Sequence, residues 1–455
     1  MILHTNDLHS HFENWPKIRR FLQQQRATAE AAGTAVLTVD DGDAMDRAHP
    51  LSEATDGQAN IELLNQIHYD AATIGNNEGI GNSHQVLEDL YDQTNFPVVL
   101  ANLFEPDGTR PQFAHPVVYK TTPQGTRIAI IGFTAPFFLT YGPNGWQVKT
   151  VGAILPELLD QIAGTYDVLV MLSHLGLETD RHLARHYPQI DVIVGGHTHH
   201  LLKHGEQVEQ TLLTAAEKYG HYVGRIELTL DDQHRIVDRR AEAISVLDLP
   251  EESADQAEIE GYLAKGHALL AAQPVAWLPS PLTIDYNRPS PLLDLGLHAV
   301  AETGGTTASV LNAGLFLHNL DAGLVTKDTL HSLLPHPMHL MTVTLTGQDI
   351  WRFMMEVEKN RMFLRHFHMV GMSFRGKIFG DVSAQGMALD HKRRVTWQNQ
   401  PLVENKTYTF TTVDHYLFIP FFPTIEIMGH NQLLFPQFLR DSVGDYLQAH
   451  YPLKD

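Results

Sequence analysis

The sequence predicts a two-domain α/β protein, in which a layered α/β domain is followed by an α+β domain. Three observations in the 455 residues support this prediction. Short apolar runs alternate with helix-like segments over about the first two hundred residues, which is typical of buried strands connected by helices. An acidic helix-like segment follows residue 250, and beyond residue 275 the composition changes to Pro-rich loops and alternating strands.

The predicted elements of the first domain come in a regular order. Helices are predicted at Pro16–Arg26, Asn60–Ile67 and Ala153–Ile162. Functional residues in such domains lie on loops at the carboxyl ends of strands, so the residues that follow each predicted strand are the candidates for function. Buried strands are predicted where short apolar runs end in polar or Gly-rich loops, at Ala35–Val39, Ala71–Ile74, Val98–Ala101, Ile128–Phe133, Val168–Leu172 and Val192–Val194.

A β-hairpin is predicted to close the first domain. Its strands are Tyr222–Leu230 and Arg235–Val246, joined by a short polar turn. The segment Glu251–Gln273, which is acidic early and apolar later, predicts an exposed connecting helix. We therefore predict a first domain over residues 1–249 and a connecting helix within residues 250–274.

The second domain is predicted over residues 275–455. Strands are expected at Leu340–Leu345 and Tyr408–Val413. The apolar residues of Trp351–Met355 have helical spacing and favour an amphipathic core helix. The apolar run Leu417–Phe422 fits either a buried strand or an exposed loop that contacts substrate or a second copy of the chain.

Composition and charge exclude several classes of protein. Lys and Arg number 32 against 53 Asp and Glu, and the formal charge of −21 argues against a nucleic acid polymer as partner, because phosphate backbones are held mainly by Lys and Arg. No apolar run is long enough to span a bilayer, and the N-terminal residues show no secretion signal. We therefore expect a cytoplasmic protein with no membrane partner. Cysteine is absent, which excludes thiolate metal sites and cysteine nucleophiles.

Potential metal ligands follow several of the predicted strands. Asp7 and His9 lie two positions apart on an extended segment, so their side chains point the same way and can bind one ion. Each loop that follows a strand is a weak indicator when taken alone, because its polar residues mostly close turns or cap helices. Together their carboxylate, amide and imidazole groups predict a site for Mn²⁺, Zn²⁺ or Fe. The other candidates are Asp43, Asn76, His174, His197 and His199.

These motifs resemble the calcineurin-like metallophosphoesterases, in the branch of the 5′-nucleotidases and 2′,3′-cyclic phosphodiesterases. The resemblance implies a layered αββα metallophosphoesterase domain followed by a smaller α+β 5′-nucleotidase-type C-terminal domain. In the first half it is carried by His4–His11, Asp41–Asp43, Gly75–Glu78, Ser173–Gly176 and Gly195–His199. The second half resembles the family more weakly, at Ser290–Val300, Val310–Phe316, Leu345–Trp351 and Tyr408–Asp414.

The resemblance implies two adjacent divalent ions, with Mn, Zn or Fe preferred and Mg or Ca as alternatives. In such a centre two cations ~3.5–4 Å apart hold the phosphoryl oxygens, and a metal-bridging hydroxide attacks phosphorus in line with the leaving oxygen. Asp43 is implied as the ligand that bridges both ions. By motif, the first ion takes Asp7, His9 and His199, and the second takes Asn76, His174 and His197.

The sequence departs from the family at position 77. The family has a histidine there, oriented by an aspartate three residues on, which stabilises charge or protonates the leaving group. This chain has Asn77 and Ile80 instead. Asn77, as the catalytic candidate at this position, can donate a hydrogen bond but cannot deliver a proton, so hydrolysis is expected to favour leaving groups that need none. His200 is the candidate for a compensating catalytic residue, with an ordinary surface histidine as the alternative.

The second domain departs from the family at its substrate contacts. Two aromatic side chains hold the nucleoside base in the family, and those positions fall here on His336 and His415. Tyr416 replaces His415 if the register shifts by one residue. Asn312 begins a segment that lacks the family's arginine, and we count these four residues as candidate substrate contacts. Three arginines are candidates for the missing cation, with solvated positions as the alternative: Arg361, Arg365 and Arg375.

The sequence therefore predicts a metal-dependent phosphoric ester hydrolase that acts on nucleotides, as a 5′-nucleotidase or a 2′,3′-cyclic phosphodiesterase of nucleotide catabolism. The first domain is expected to hold the metals, and the second to bind the rest of a small-molecule phosphoester. Two alternatives stay open: a catalytically weakened, metal-bound nucleotide-binding or sensor protein, and a hydrolase of a non-nucleotide phosphoester. The sequence does not indicate the oligomeric state.

Overall fold

A computed structural model describes residues 1–371 and 374–453 of the chain. The chain divides into two compact units, Met1–Gly266 and His267–Asp455. The point of division lies inside a helix, Asp255–Ala271, which confirms the helix expected near Glu251–Gln273. The domain bounds themselves stay predictions.

The first unit alternates strands and helices, as the sequence predicts. Its strands are β1 (Ile2–Thr5), β2 (Leu37–Asp40), β3 (Ala71–Ala72), β4 (Val98–Val99), β5 (Leu103–Phe104), β6 (Ala114–His115), β7 (Val118–Thr121), β8 (Arg127–Thr134), β9 (Gln147–Val148), β10 (Val168–His174), β11 (Val192–Gly195), β12 (Glu206–Val208), β13 (Thr211–Thr214), β14 (Tyr222–Leu230) and β15 (Ile236–Ser245). Its helices are α1 (Trp15–Ala31), α2 (Pro50–Ala54), α3 (Gln58–Leu64), α4 (Asn76–Ile80), α5 (His84–Leu90), α6 (Phe138–Tyr141), α7 (Val151–Ile162), α8 (Leu177–His186) and α9 (Asp255–Ala271).

Two sheets face each other in this unit. Their strand orders are β15-β14-β1-β2-β3-β4-β6 and β12-β13-β11-β10-β8-β7. Neighbouring strands β1, β2 and β3 are parallel, and so are β8, β10 and β11. Side chains of both sheets meet in one buried layer, which includes Ile2, Val39 and Ile226 from the first sheet and Ile130, Val170 and Val192 from the second. With helices on the outer faces, this is the αββα layering expected from the sequence.

Strand β10 shows why the central strands are apolar throughout. Val170 and Leu172 point into the layer between the sheets, while Leu169 and Met171 pack with residues of α7 and α8 on the other face. Because both faces of this strand are buried, it lacks the alternation of polar and apolar residues that a surface strand shows. The apolar run ends at the carboxyl edge of the sheet, where His174 is the last residue of the strand.

The second unit is built around one five-stranded sheet with the order β20-β17-β24-β19-β25. Its strands are β16 (Pro274–Leu278), β17 (Ser309–Asn312), β18 (Gly323–Thr326), β19 (His339–Thr346), β20 (Val382–Gln385), β21 (Met387–Leu389), β22 (Val395–Trp397), β23 (Gln400–Pro401), β24 (Thr407–Val413) and β25 (His430–Phe438). Its helices are α10 (Pro291–Thr303), α11 (Lys327–Leu333), α12 (Gly347–Leu364), α13 (His415–Phe418), α14 (Pro423–Met428) and α15 (Leu439–His450). Within residues 1–371 and 374–453, no helix has the length and apolar character needed to cross a membrane.

Two predictions for this unit have opposite outcomes. The amphipathic helix at Trp351–Met355 is confirmed as part of α12, where Phe353 is buried and stacks on Phe410 while Trp351 is 42% exposed. A strand at Leu417–Phe422 is wrong, because the short helix α13 occupies the start of this segment. Leu417, Ile419 and Phe422 are buried from a helical turn and the following loop, and so short a run shows no periodicity that would distinguish this from a strand.

A buried acid on α8 packs against the second sheet of the first unit. Asp180 is only 2% exposed, and the hydroxyl of Ser173 donates to its Oδ1. A Cβ at Gly195 of β11 would lie 2.5 Å from its Oδ2, so glycine at that position makes room for the carboxyl. Burial raises the pKa of Asp180 to about 7, and the folded protein therefore favours the neutral form of this side chain.

Asp180→Asn is expected to remove a pH dependence from the stability of the first unit. The folded state keeps this proton between pH 3.8 and about 7, where the unfolded chain has released it. The unfolding free energy of the wild type therefore falls over this range relative to the variant, by at most about 1.4 kcal/mol per pH unit. The amide still accepts from Ser173.

Urea unfolding of chelator-treated wild type and variant at pH 5 and pH 7.5 measures this effect. The exposed acid Asp160 on α7 offers a matched control, and Asp160→Asn should leave the pH dependence as it is in the wild type. A stability difference between wild type and Asp180→Asn that is equal at both pH values would contradict the prediction.

Candidate metal centre

The predicted metal ligands lie at the carboxyl edges of both sheets of the first unit. Strands β1, β2 and β3 of one sheet lead into Asp7, Asp43 and Asn76, while β10 and β11 of the other lead into the three histidines 174, 197 and 199. Two groups of side chains there have ligand atoms within 4.8 Å of one another. These groups are Asp7, His9 and His199, and Asp7, Asp43 and His174.

The first group surrounds one point. Nε2 of His9 lies 3.1 Å from Nε2 of His199, and the latter atom lies 3.4 Å from Oδ1 of Asp7. His9 Nε2 is 3.8 Å from Oδ1 of Asp7 and 3.8 Å from Oδ2 of Asp43. Two imidazole nitrogens and two carboxylate oxygens that converge in this way can hold a divalent ion.

The second group shares Asp7 with the first and adds Asp43 and His174. Oδ2 of Asp43 is 3.3 Å from Nε2 of His174, which is also 4.0 Å from Oδ1 of Asp7. Oδ1 of Asn76 lies 2.8 Å from Nδ1 of His197, and the rings of His174 and His197 have centroids 5.2 Å apart. All seven predicted ligands are thus close together, and Asp43 faces a histidine of each group.

His174 provides the test of whether these residues fit a cation. Its ring is fully buried, and its Nδ1 donates to the carbonyl oxygen of Asp41 at 2.8 Å. Its Nε2 is buried, lies 3.3 Å from Oδ2 of Asp43 and has no hydrogen-bond partner among the described residues. Because orphaned buried nitrogens are rare and costly, and backbone contacts of this kind orient metal-binding histidines, the site fits a bound cation.

Charge interactions at the site favour positive charge between the two acids. Burial lowers the pKa of His174, but the carboxylates of Asp43, Asp7 and Asp41 together more than offset this, and the net pKa lies well above the ordinary value. Burial raises the pKa of Asp43, and the facing His174 holds it below its usual range instead. The carboxylate is therefore ionised and ready to bind a cation.

The backbone at the site is bent into a conformation that most residues avoid. Five of the seven predicted ligands have a positive φ, between 48° and 68°. Such left-handed angles are uncommon outside glycine and concentrate at functional sites, where the surrounding structure holds them. The bent residues are Asp7, His9, Asp43, His197 and His199.

Glycines allow the loops to approach the acids closely. A Cβ at Gly75 would lie 2.0 Å from Oδ1 of Asp43, and a Cβ at Gly42 would lie 2.3 Å from the backbone nitrogen of Gly75. A Cβ at Gly196 would lie 2.8 Å from Oδ2 of Asp7. A side chain at Gly75 or Gly196 would therefore displace a carboxylate, and one at Gly42 would displace the backbone at Gly75.

Two residues that hold the acids in place were not predicted as site residues. Nδ2 of Asn6 donates to Oδ2 of Asp7 at 2.8 Å and to the carbonyl of Glu217, which fixes the carboxylate to a distant loop. Glu78, only 3% exposed, accepts from the backbone N–H groups of Asp43 and Met45 as well as capping α4. The sequence signal was their position inside the motifs His4–His11 and Gly75–Glu78.

Asn77 contacts the predicted ligands. Its backbone N–H donates to Oδ1 of Asp43 at 2.6 Å. Its Nδ2 donates to the carbonyl of Met45 at 2.9 Å and lies 2.9 Å from Nδ1 of His9, while its Oδ1 accepts from Asn76. Asn77 is therefore a positioning residue between the two ligand groups, and its direct part in catalysis stays a prediction.

His200 and the four candidate substrate contacts lie outside this cluster. His200 is exposed, with Nδ1 2.9 Å from the hydroxyl of Thr198, and its catalytic role stays a prediction. The four candidates of the second unit are at most 1% exposed and form part of its interior. A direct contact with substrate stays a prediction that would require this interior to open. These four residues are Asn312, His336, His415 and Tyr416.

The contacts of these buried residues are internal. Nε2 of His336 donates to the carbonyl of Leu315, and the hydroxyl of Tyr416 donates to Oδ1 of Asn312. Solvated positions for Arg361 and Arg365 are wrong, since both guanidinium groups donate to the buried carboxylate of Asp381. These two arginines, which the sequence suggests as contacts for a substrate, therefore pair with an acid inside the second unit.

Comparisons with known proteins agree with the fold and the order of the domains. The calcineurin-like phosphoesterase family matches residues 1–201, and the 5′-nucleotidase C-terminal domain matches residues 274–418. The metallophosphoesterase YunD of Bacillus subtilis is 36% identical over 452 residues, which cover 97% of each chain. Human 5′-nucleotidase is 24% identical over 58% of this chain and 52% of its own length. The structure of Haemophilus influenzae NAD nucleotidase covers 99% of this chain and 96% of its own, with 16% identity and a TM-score of 0.67.

The layered fold and its carboxylate–imidazole cluster define a phosphoester hydrolase. The extent and identity of the matches give the more specific assignment. The chain belongs to the calcineurin-like phosphoesterases that carry a 5′-nucleotidase C-terminal domain, which confirms the resemblance found in the sequence.

Asn77→Ala is expected to weaken the binding of divalent ions about 10- to 100-fold, as the loss of a group that orients a metal ligand typically does. The reason is that the amide fixes the ring of His9 and the loop at Met45. Titration of chelator-treated protein with Mn²⁺, followed by calorimetry, measures the change. Asn95→Ala, in the same unit and away from the cluster, is the control, and an affinity equal in the two variants would refute the role.

Proposed function

We propose that the protein hydrolyses phosphoesters of nucleotides at a centre of two divalent ions, as a 5′-nucleotidase or a 2′,3′-cyclic phosphodiesterase. The observation that carries this proposal is the buried, unpartnered Nε2 of His174, which faces the carboxylates of Asp43 and Asp7. Nucleotides are supported as the substrate class by the matched C-terminal domain and by relatives named 5′-nucleotidase and NAD nucleotidase.

The proposed division of ligands follows the family motifs, and its first set is also one of the two groups of converging side chains. Asp43 is assigned to both ions, because its Oδ2 lies 3.8 Å from Nε2 of His9 and 3.3 Å from Nε2 of His174. When bound, the ions supply positive charge for the phosphoryl oxygens and lower the pKa of water toward neutrality. Mn²⁺, Zn²⁺ and Fe match the mixture of oxygen and nitrogen donors. The first ion takes Asp7, His9 and His199, and the second takes Asn76, His174 and His197.

Proton supply to the leaving group limits the substrates. The amide of Asn77 holds Met45 and His9 and has no proton to give to an alkoxide. General acid catalysis typically contributes ~10²–10⁴-fold, so its loss slows the departure of poor leaving groups most. We infer a preference for strained cyclic diesters and for leaving groups of low pKa.

The cellular setting is part of the proposal. The formal charge of −21 supports a small-molecule phosphoester over a nucleic acid polymer as the partner. A cytoplasmic location stays a prediction from the sequence.

Release of phosphate by metal-reconstituted protein tests the function. The panel contains a nucleoside 5′-monophosphate, a 2′,3′-cyclic nucleotide, an aryl phosphate and an aryl phosphodiester. Asp43→Asn is expected to lower the rate on the best substrate by at least about 10²-fold, since it removes the charge shared by both ligand groups. Asp160→Asn, an exposed acid on α7, should retain wild-type activity.

The possible results of this panel distinguish between the candidate functions of the site. Nucleotide turnover that Asp43→Asn abolishes supports the proposal, and faster turnover of the cyclic or aryl substrates supports the inferred leaving-group preference. Turnover of the aryl ester alone would indicate that the natural substrate is a phosphoester other than a nucleotide. No release above the Asp43→Asn blank, with two metal ions bound per chain, would indicate a binding or sensor protein.

A further inference from the structure

Three consecutive apolar residues of the first unit are exposed just after strand β8, and we call them the 137–139 segment. They are Phe137, Phe138 and Leu139, with exposed fractions of 37%, 57% and 55%. Single exposed apolar residues are normal on a protein surface, whereas a contiguous group of large ones marks a surface that contacts another molecule. None of the three is among the predicted metal ligands or substrate contacts.

The position of β8 places this segment beside the metal ligands. Strands β8 and β10 are parallel neighbours, and Thr134 at the end of β8 pairs with His174 at the end of β10. Strand β11, on the other side of β10, leads into His197. All three strands therefore end at the same edge of the sheet, where ligands of small molecules bind in α/β proteins. Two of them lead into metal ligands, and β8 leads into aromatic side chains.

Phe137 contacts one of the predicted ligands directly. Its ring meets the ring of His197 in a T-shaped arrangement, with the centroids 5.6 Å apart and the planes at 62°. Part of the Phe137 side chain thus covers a ligand of the second ion, while the rest is open to solvent. A group that is esterified to a phosphate at this centre therefore has an aromatic surface within reach.

Helix α4, which begins at the predicted ligand Asn76, holds the segment in place. Tyr141 at the end of α6 is fully buried, and a Cβ at Gly79 of α4 would lie 2.0 Å from its hydroxyl oxygen. Nδ2 of Asn144 donates to the carbonyl of Asn82, just beyond α4, at 2.8 Å. The backbone N–H of Tyr141 also donates to the carbonyl of the first residue of the segment. Because the segment is anchored, little conformational freedom is lost when a ligand packs on it.

A second aromatic ring near the centre already has partners on the protein. Tyr219 meets His9 edge to face with centroids 5.7 Å apart and stacks on His11 at 3.7 Å. Nζ of Lys218 lies 4.5 Å from the centroid of the same ring. The four candidate substrate contacts of the second unit are buried in its interior. Of the two rings beside the ligands, that of Phe137 is the more exposed.

We propose that Phe137 is a specificity-determining residue that contacts an aromatic ring of the substrate. This inference rests on the proposed function, because it requires a phosphoester at the metal centre. The ring packs on Phe137 in a stacked or T-shaped arrangement, and Phe138 and Leu139 extend the apolar surface. The chemistry agrees with that of Asn77, because an aryl leaving group has a low pKa and departs without a proton from the protein.

Calorimetric titration of Mn²⁺-reconstituted protein with two phosphonates, whose C–P bond is not hydrolysed, tests the contact. Phenylphosphonate carries a ring, and methylphosphonate has the same anionic group without one. The wild type is expected to bind phenylphosphonate about tenfold more tightly than methylphosphonate, because the ring buries apolar surface. Phe137→Ala is expected to lower this ratio about 3- to 10-fold and to leave the affinity for methylphosphonate as it is.

Two further variants control for general effects. Phe137→Tyr keeps the ring and is expected to keep the wild-type ratio. Tyr119→Ala removes another exposed aromatic ring of the first unit, 47% exposed and opposite Ala129 in the first half of β8, away from the carboxyl edge. It is also expected to keep the wild-type ratio.

Turnover identifies the kind of ring that the substrate carries. If the ring is a nucleobase, Phe137→Ala raises the KM for a nucleoside 5′-monophosphate and leaves the KM for ribose 5-phosphate unchanged. If the ring is attached directly to the phosphate, the increase in KM is confined to the aryl phosphate.

The proposal is overturned if the wild type binds both phosphonates equally, if Phe137→Ala keeps the wild-type ratio, or if Tyr119→Ala lowers the ratio as much. When methylphosphonate binds and phosphoesters are hydrolysed, each of these results leaves the proposed function standing. If neither phosphonate binds to protein that carries two metal ions, the phosphate site of the proposed function is contradicted, and this inference with it.

Discussion

The burial of two carboxylates, Asp7 and Asp43, is the constraint on which the first unit depends. Negative charges in an interior are stable only opposite cations or hydrogen-bond donors. Both acids lie where the edges of two sheets meet, and His174 stands between them with an unpartnered nitrogen. The left-handed backbone at the ligands and the close approach of Gly75 follow from the need to bring these groups together.

The residues around the acids orient them and leave their charge in place. Asn6 holds Asp7, while Glu78 and Asn77 hold the loop and side chain of Asp43 through neutral N–H groups. Such contacts restrict motion but leave an ionised carboxylate free to bind a cation. Asn77 therefore affects both the geometry and the chemistry of the site, because its amide positions His9 but cannot donate a proton to a leaving group.

The second unit uses its polar residues differently. His336 and His415 lie in an interior rich in aromatic rings, and Arg361 is neutralised by the buried Asp381. These polar groups therefore find their partners inside the second unit itself.

The sequence by itself determined the alternation of strands and helices in the first unit, the two-sheet layering through its family motifs, and the seven candidate ligands. These features depend on local periodicity and on residues that directly follow strands, which are visible in short windows. Only the tertiary structure decided that His336 is buried, that Asn77 contacts His9, and that His174 donates to the carbonyl of Asp41. The physical reason is that burial, left-handed backbone and hydrogen-bond partners arise from groups far apart in the chain, 133 positions for the last of these contacts.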